Sequence, residues 1–170
     1  MDSSAVRNLW LFLLLIGGFY LGRSWYFAPK LTTAEPAPAL IAPTTDGATF
    51  NLSEQGGQYV YLNFWGSWCG PCLAKIPELQ KFHQSLAADR FQLVHIAVED
   101  RAERHQAALQ RYELPGIHLL DLNTSLRFFD GTIAKQFGVK QLPTGYLIGP
   151  EGDILAYNPS VEEIVATVGK

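Results

Sequence analysis

Asn63-Phe64-Trp65-Gly66-Ser67-Trp68-Cys69-Gly70-Pro71-Cys72-Leu73-Ala74-Lys75 holds both cysteines of the 170-residue chain. Two cysteines separated by two residues can staple a loop, share a metal with a second ligand pair, or cycle as a dithiol. A staple across so short a loop removes little unfolded-state entropy. A core of roughly 130 residues also buries enough surface to fold without one. Zinc would need a further Cys or His pair at workable spacing. There is no third cysteine, and His83, His95, His105 and His118 fall on separate predicted helices and strands. No metal is expected, and the redox reading is the one whose physics fits.

The flanks support it. Residues 58–65 are rich in β-branched and aromatic residues, the composition of a strand buried on both faces. Residues 73–87 place Ile76, Leu79, Phe82 and Leu86 at the spacing of an amphipathic helix. A strand ending at Trp65 and a helix opening near Cys69 put the first thiol at a helix N-terminus, where unpaired N–H groups favour a thiolate. Pro71 is tolerated in a first turn because its missing N–H would be unpaired there. Cys72 lies about a turn further in, better buried. Cys69 is therefore the expected nucleophile and Cys72 the resolving thiol. Trp65 reads as core, Trp68 as an exposed surface for a partner, and Gly66 and Gly70 as points of close backbone approach. Tyr59 and Tyr61 read as strand packing, His95 as a satisfied core residue, and Glu99 and Asp100 as solvated caps.

Further out, the Asp46-Gly47 turn predicts a hairpin over residues 44–50. Strands follow at 91–98 and 117–120, with a charged-faced helix at 102–112 between them. Residues 125–137 read as a helical stretch broken near Asp130 and Gly131. A strand at 144–148 turns at 149–152 into another at 153–157, and residues 158–160 cap a last helix at 161–168. Strands alternating with helices and ending in a hairpin predict an α/β fold with a mixed central sheet.

Residues 9–22 are uncharged and almost wholly apolar, with Arg7 before and Arg23 after. Extended through Ala28 they reach spanning length, with Trp25, Tyr26 and Phe27 at the interface. A cleavable signal peptide is the competing reading. Either one sends the remaining chain out of the cytoplasm: the anchor implies a single-pass inner-membrane helix with the domain in the periplasm or another extracytoplasmic space, and signal cleavage a secreted protein. The expected organisation is an anchor or signal at 1–28, a Pro/Ala-rich extended tether at 29–43, and one domain at 44–170.

Trp68-Cys69-Gly70-Pro71-Cys72 after an aromatic strand resembles the active site of the thioredoxin superfamily, and Leu142-Pro143-Thr144 resembles its cis-proline loop. The N-terminal anchor, the hairpin, the Tyr61-Leu62-Asn63-Phe64-Trp65 strand and the helical insertion are similar to the TlpA/ResA-like branch. That resemblance implies a thioredoxin fold with a hairpin extension, a cis Leu142-Pro143 bond, and Pro143 shaping the site with Trp68, Gly70 and Pro71. From the sequence alone Pro143 could equally be an ordinary trans turn proline. The resemblance also implies an extracytoplasmic thiol–disulfide oxidoreductase, in several relatives serving cytochrome c maturation. Its implied partners are protein disulfides such as apocytochrome c, and a membrane electron donor; no cofactor is implied. Asn63 stands where thioredoxin carries a buried Asp, and Lys75 where the branch often carries Glu. A cation facing the dithiol favours the thiolate and a carboxylate disfavours it, so Asn63, Lys75 and the later Glu78 are the candidates for tuning.

A net charge of −3 without a basic cluster excludes nucleic-acid binding through a basic face, and 48% apolar residues speak for a packed globule. Gly-Pro between the cysteines resembles reducing members of the superfamily, which favours a protein-disulfide reductase over a disulfide oxidase. A non-catalytic chaperone or binding module would leave the intact pair idle. A thiol peroxidase would carry a Pro-x-x-x-Thr element ahead of a lone cysteine, and residues 43–69 hold none.

Overall fold

The computed structural model describes residues 3–85, 90–123 and 129–169. A five-stranded sheet has the order β5-β4-β3-β6-β7. Its centre is β3 (Tyr59–Trp65), parallel to β4 (Phe91–Glu99), which is in turn parallel to β5 (Ile117–Leu122). On its other side β3 is antiparallel to β6 (Thr144–Ile148), and β6 to β7 (Ile154–Tyr157). Successive strand residues alternate faces. Val60, Leu62 and Phe64 therefore join Val94, Ile96 and Phe137 in one layer, while Tyr61 packs with Leu79, Phe82 and Ile164 on the other. By the same alternation Asn63 and Trp65 on β3, and His95, Ala97 and Glu99 on β4, share the face that carries the cysteines.

The expected helix at 73–87 is two helices. The first, α2 (Gly70–Ala74), ends at Lys75, and α3 (Ile76–Ser85) begins at once with Pro77 in its first turn. Proline lacks the N–H that would extend the α2 ladder but is tolerated at a helix start. Ile76, Leu79 and Phe82 are buried as the spacing predicts; Leu86 lies outside the described residues. The helix α4 (Ala102–Tyr112) has the predicted bounds, and β5 runs two residues past its predicted end. Of the stretch at 125–137, residues 125–128 lie outside the described residues, and the helix found is α5 (Thr132–Gln136). Buried Asp121 caps it, accepting the Ile133 and Ala134 amides at 3.1 and 2.7 Å. Ser160 caps α6 (Val161–Val168) in a reciprocal box with Glu163.

The expected tether is the largest departure. The hairpin strands are β1 (Ile41–Pro43) and β2 (Thr49–Asn51), so the first strand precedes the predicted boundary at residue 44. Leu40 and Ala42 are buried in the core; one such leucine stabilises the fold by roughly 1.5–3 kcal/mol. The preceding residues bind the β7 edge, through Ala34 N–H to the Ile154 carbonyl and Ile154 N–H to the Glu35 carbonyl, both 2.8 Å. Proline forbids helices and central strands, but it is compatible with the edge position used here. At the opposite edge, Thr45 N–H reaches the His118 carbonyl at 3.0 Å, so one N-terminal segment covers both sheet margins.

Ahead of it, α1 (Ser3–Phe27) is apolar all round, and its large side chains from Leu9 to Leu21 are unburied. Such a helix suits lipid rather than water. Its Arg7–Phe27 window is long and apolar enough to cross a membrane: 21 residues rise about 31 Å, the thickness of the hydrocarbon core.

Candidate active site

The chain leaves β3 at Trp65, passes Gly66, Ser67 and Trp68, and enters α2 with Cys69 as its N-cap. The Cys69 Sγ accepts the Cys72 N–H at 3.2 Å, and the two sulfurs are bonded, 2.02 Å apart. Pro71 lies in the first turn as predicted. The expected difference in burial is absent: Cys69 is 5% exposed and Cys72 4%, because Trp65, Ile76, Ala97, Ala108 and Leu114 pack around both, with Leu142 against the same cluster. Trp68 is 40% exposed, yet it is fixed. Its indole N–H donates to the Val98 carbonyl at 2.9 Å, and its ring lies 6.3 Å from that of Phe129. Gly66 has no room for a side chain, since a Cβ would lie 2.7 Å from the Trp68 Nε1. Around Gly70 the space is open, so no contact within the chain requires glycine there.

The Leu142-Pro143 bond is cis. Pro143 lines a groove of about 350 Å³ together with Asn63, Lys75, Glu78, Asn158 and Ser160. The three candidates for tuning, one on β3 and two on the α2–α3 segment, thus meet beside the proline loop. Lys75 and Glu78 are exposed on α2–α3, while Asn63 is buried and hydrogen-bonded to His95 Nδ1 at 3.0 Å.

Glu99 is not a solvated cap. It has no solvent exposure; one carboxylate oxygen accepts the Ser67 N–H at 2.5 Å, and the other is buried without a partner. Burial raises its pKa above the usual carboxylate value, against the lowering effect of the Ser67 bond. Val98 and Glu99, at the end of β4, therefore hold the loop that carries Trp68 and Cys69. An acid closing an apolar strand looks like a cap in sequence. The available signal was its parity with Ala97 and His95, which puts it on the cysteine face.

The scattered histidines also come together. His95 stacks on His118 at 5.3 Å, and Trp65 touches the His95 and His105 rings at 6.4 and 6.2 Å. His95 is only half satisfied, since its Nε2 is buried without a partner, as are His105 Nε2 and His118 Nδ1. Burial lowers all three pKa values, His95 to about 3 and His105 to about 4. Among the described residues no three His, Cys, Asp or Glu side chains converge as metal ligands.

A mixed sheet, a bonded Cys-Gly-Pro-Cys turn and a cis-proline together define a thioredoxin-fold thiol–disulfide oxidoreductase. The chain belongs to the AhpC/TSA family, whose profile matches residues 33–157. Among curated relatives it is 28% identical to the thiol-disulfide oxidoreductase ResA of Bacillus subtilis over 131 residues, covering 76% of this chain and 69% of that one. It is 25% identical to the ResA protein of Bacillus thuringiensis over 146 residues, 84% of this chain and 80% of that one. Among solved structures, a putative thiol:disulfide interchange protein DsbE from Chlorobium tepidum superposes with a TM-score of 0.69 at 26% identity, over 82% of this chain and 96% of the other. The fold class and the TlpA/ResA-like resemblance read from the sequence both hold.

Proposed function

We propose that the domain reduces disulfides of exported proteins at the outer face of a membrane that α1 spans. The observation that carries the role assignment is the Cys72 N–H directed at the Cys69 Sγ, an arrangement that stabilises negative charge on Cys69 in the reduced form. The Cys69 thiolate attacks a substrate disulfide, forming a mixed disulfide and expelling one substrate thiolate. Cys72, as thiolate, then attacks the Cys69 sulfur and expels the second. Two electrons pass to the substrate and the Cys69–Cys72 disulfide remains. A membrane-embedded dithiol protein would return the pair to the reduced form, and apocytochrome c is the candidate substrate by resemblance to the ResA branch. Trp68, packed and partly exposed beside Cys69, and Pro143, next to the Leu142 that packs on the cysteine cluster, would shape the surface the substrate meets. Lys75 stands in place of an acid three residues after Cys72, which leaves Glu78 as the carboxylate of the groove.

The reduction potential tests the direction of flow. A value well below about −120 mV, the potential of a strong periplasmic oxidant, is expected. A value at or above it would overturn the reductase reading and leave an oxidase.

A further inference from the structure

Between α1 and the domain the chain has no slack. Its helical end is gripped by the turn that follows α5. The Lys140 Nζ donates to the Tyr26 backbone carbonyl at 2.5 Å and lies 5.0 Å from the centroid of the Tyr26 ring. That carbonyl is one of the last four of the helix, which have no partner within it, and a cation there also meets the negative end of the helix dipole. Next, the Lys30 side chain lies against Gly138, where a Cβ would come within 2.3 Å of the Lys30 Cβ. Gly138 has φ +64 in that turn, so glycine suits both the conformation and the contact. Leu31 packs on the core and Ala34 hydrogen-bonds to β7. Contacts at 26, 30, 31 and 34 leave no residues for a leash.

The gripping turn is close to the chemistry. Leu142, two residues after Lys140, packs against the Trp65, Cys69 and Cys72 cluster, and two residues reach at most about 7 Å. Trp25 and Tyr26, 82% and 55% exposed, are the aromatic types that settle at headgroup level. Arg23 and Lys30 flank them in sequence and Lys140 contacts Tyr26, all three exposed, with no acid in residues 23–31.

We propose that α1 and the domain form one latched unit, in which Lys140 and Gly138 hold residues 26–30 and keep the dithiol face at the height of the lipid headgroups. Its exchange partners are then polypeptides whose cysteines lie at the membrane surface, rather than proteins met at the end of a swinging tether. This rests on the reading of α1 as a membrane span.

The full chain in lipid vesicles tests it. Resistance to carbonate extraction checks the span separately: an extracted protein removes the anchor reading itself. In carbonate-resistant protein with Cys69→Ser and Cys72→Ser, a fluorophore on Gln141→Cys reports proximity to lipids carrying a headgroup quencher. Strong quenching is expected. It should fall by about half or more in two variants, Lys140→Ala and an insertion of about eight Gly/Ser residues between Phe27 and Ala28, which adds roughly 15 Å of reach. With the native cysteines, Lys140→Ala should still reduce a soluble disulfide at the parental rate, showing an intact domain. An unquenched parent, or parental quenching in either variant, overturns the latch.

Discussion

Glu99 accepts the Ser67 amide at 2.5 Å from a site with no solvent exposure, so the loop bearing Trp68 and Cys69 is hung from a carboxylate on the neighbouring strand. Glu99→Ala leaves the half-buried Ser67 N–H without its acceptor, at a cost of up to about 1 kcal/mol, and should slow disulfide exchange by loosening the loop. Glu99→Gln keeps an acceptor but does not titrate. Burial raises the folded pKa of Glu99, so the folded state holds its proton after the unfolded chain has lost it. The resulting stability is fully present below the ordinary value of about 4.3 and is lost as pH rises through the folded value. Urea unfolding across that range should show the fall in wild type and a flatter profile in Glu99→Gln. Identical profiles would mean that Glu99 is not titrating as assigned.

Gly66 controls the same loop sterically. In Gly66→Ala the new Cβ meets the Trp68 Nε1 at 2.7 Å and the Val98 carbonyl at 3.1 Å. The strand cannot retreat without breaking its ladder, so the indole must leave the carbonyl. Overpacking of this kind costs about 1–3 kcal/mol. The expected readouts are a lower unfolding midpoint, a red-shifted Trp68 emission in the difference from a Trp68→Phe background, and slower exchange. Unchanged emission would show that the loop yields instead.

Periodicity and residue type made the sheet legible. The apolar run of β3 and the spacing of Ile76, Leu79 and Phe82 encode burial directly, and α4 was read to its bounds. The dithiol was legible because strand, thiol and helix start are local in sequence. What stayed hidden depends on strand register. Asn63 and His95 are paired across β3 and β4, and no local pattern announces that a polar residue on one strand finds its partner 32 positions on. Glu99 is misread for the same reason. The Pro/Ala segment misleads differently: its composition is that of a tether, but Leu40 and Ala42 are apolar and buried, and the sheet edges that Ala34, Glu35 and Thr45 bind exist only once the sheet has formed.

The histidine cluster should make the fold acid-labile. Burial holds His95 at about 3 and His105 at about 4, with His118 also lowered, whereas the unfolded chain titrates near 6.5. The neutral rings are fully accommodated above the unfolded value. As pH falls below it the unfolded chain gains protons that the folded chain refuses, so stability declines until the folded values are passed. The slope is up to about 1.4 kcal/mol per pH unit for each such histidine. His105→Gln, with His95 and His118 left in place, should lower the slope between about pH 6 and 4 and move the acid midpoint downward. Thermal unfolding at stepped pH measures both, and an unchanged slope would exclude His105 from the effect.

Burial does not distinguish the two sulfurs, at 5% and 4% exposure, so the order of attack must come from electrostatics. Only Cys69 occupies the N-cap, with the Cys72 N–H directed at its sulfur; a negative charge there is stabilised by unpaired helix amides. Cys72→Ser should therefore retain the attacking thiolate and lose the resolving one. Mixed disulfides through Cys69 should accumulate on non-reducing gels and disappear on reduction, and mass spectrometry of the adducts would identify the substrates. Cys69→Ser should trap little. Adding Lys75→Glu to Cys72→Ser places a carboxylate on the groove rim in place of a cation, which disfavours a nearby thiolate, so Cys69 should alkylate more slowly at neutral pH. Trapping through Cys72 in the Cys69→Ser protein, with none in Cys72→Ser, would reverse the two roles.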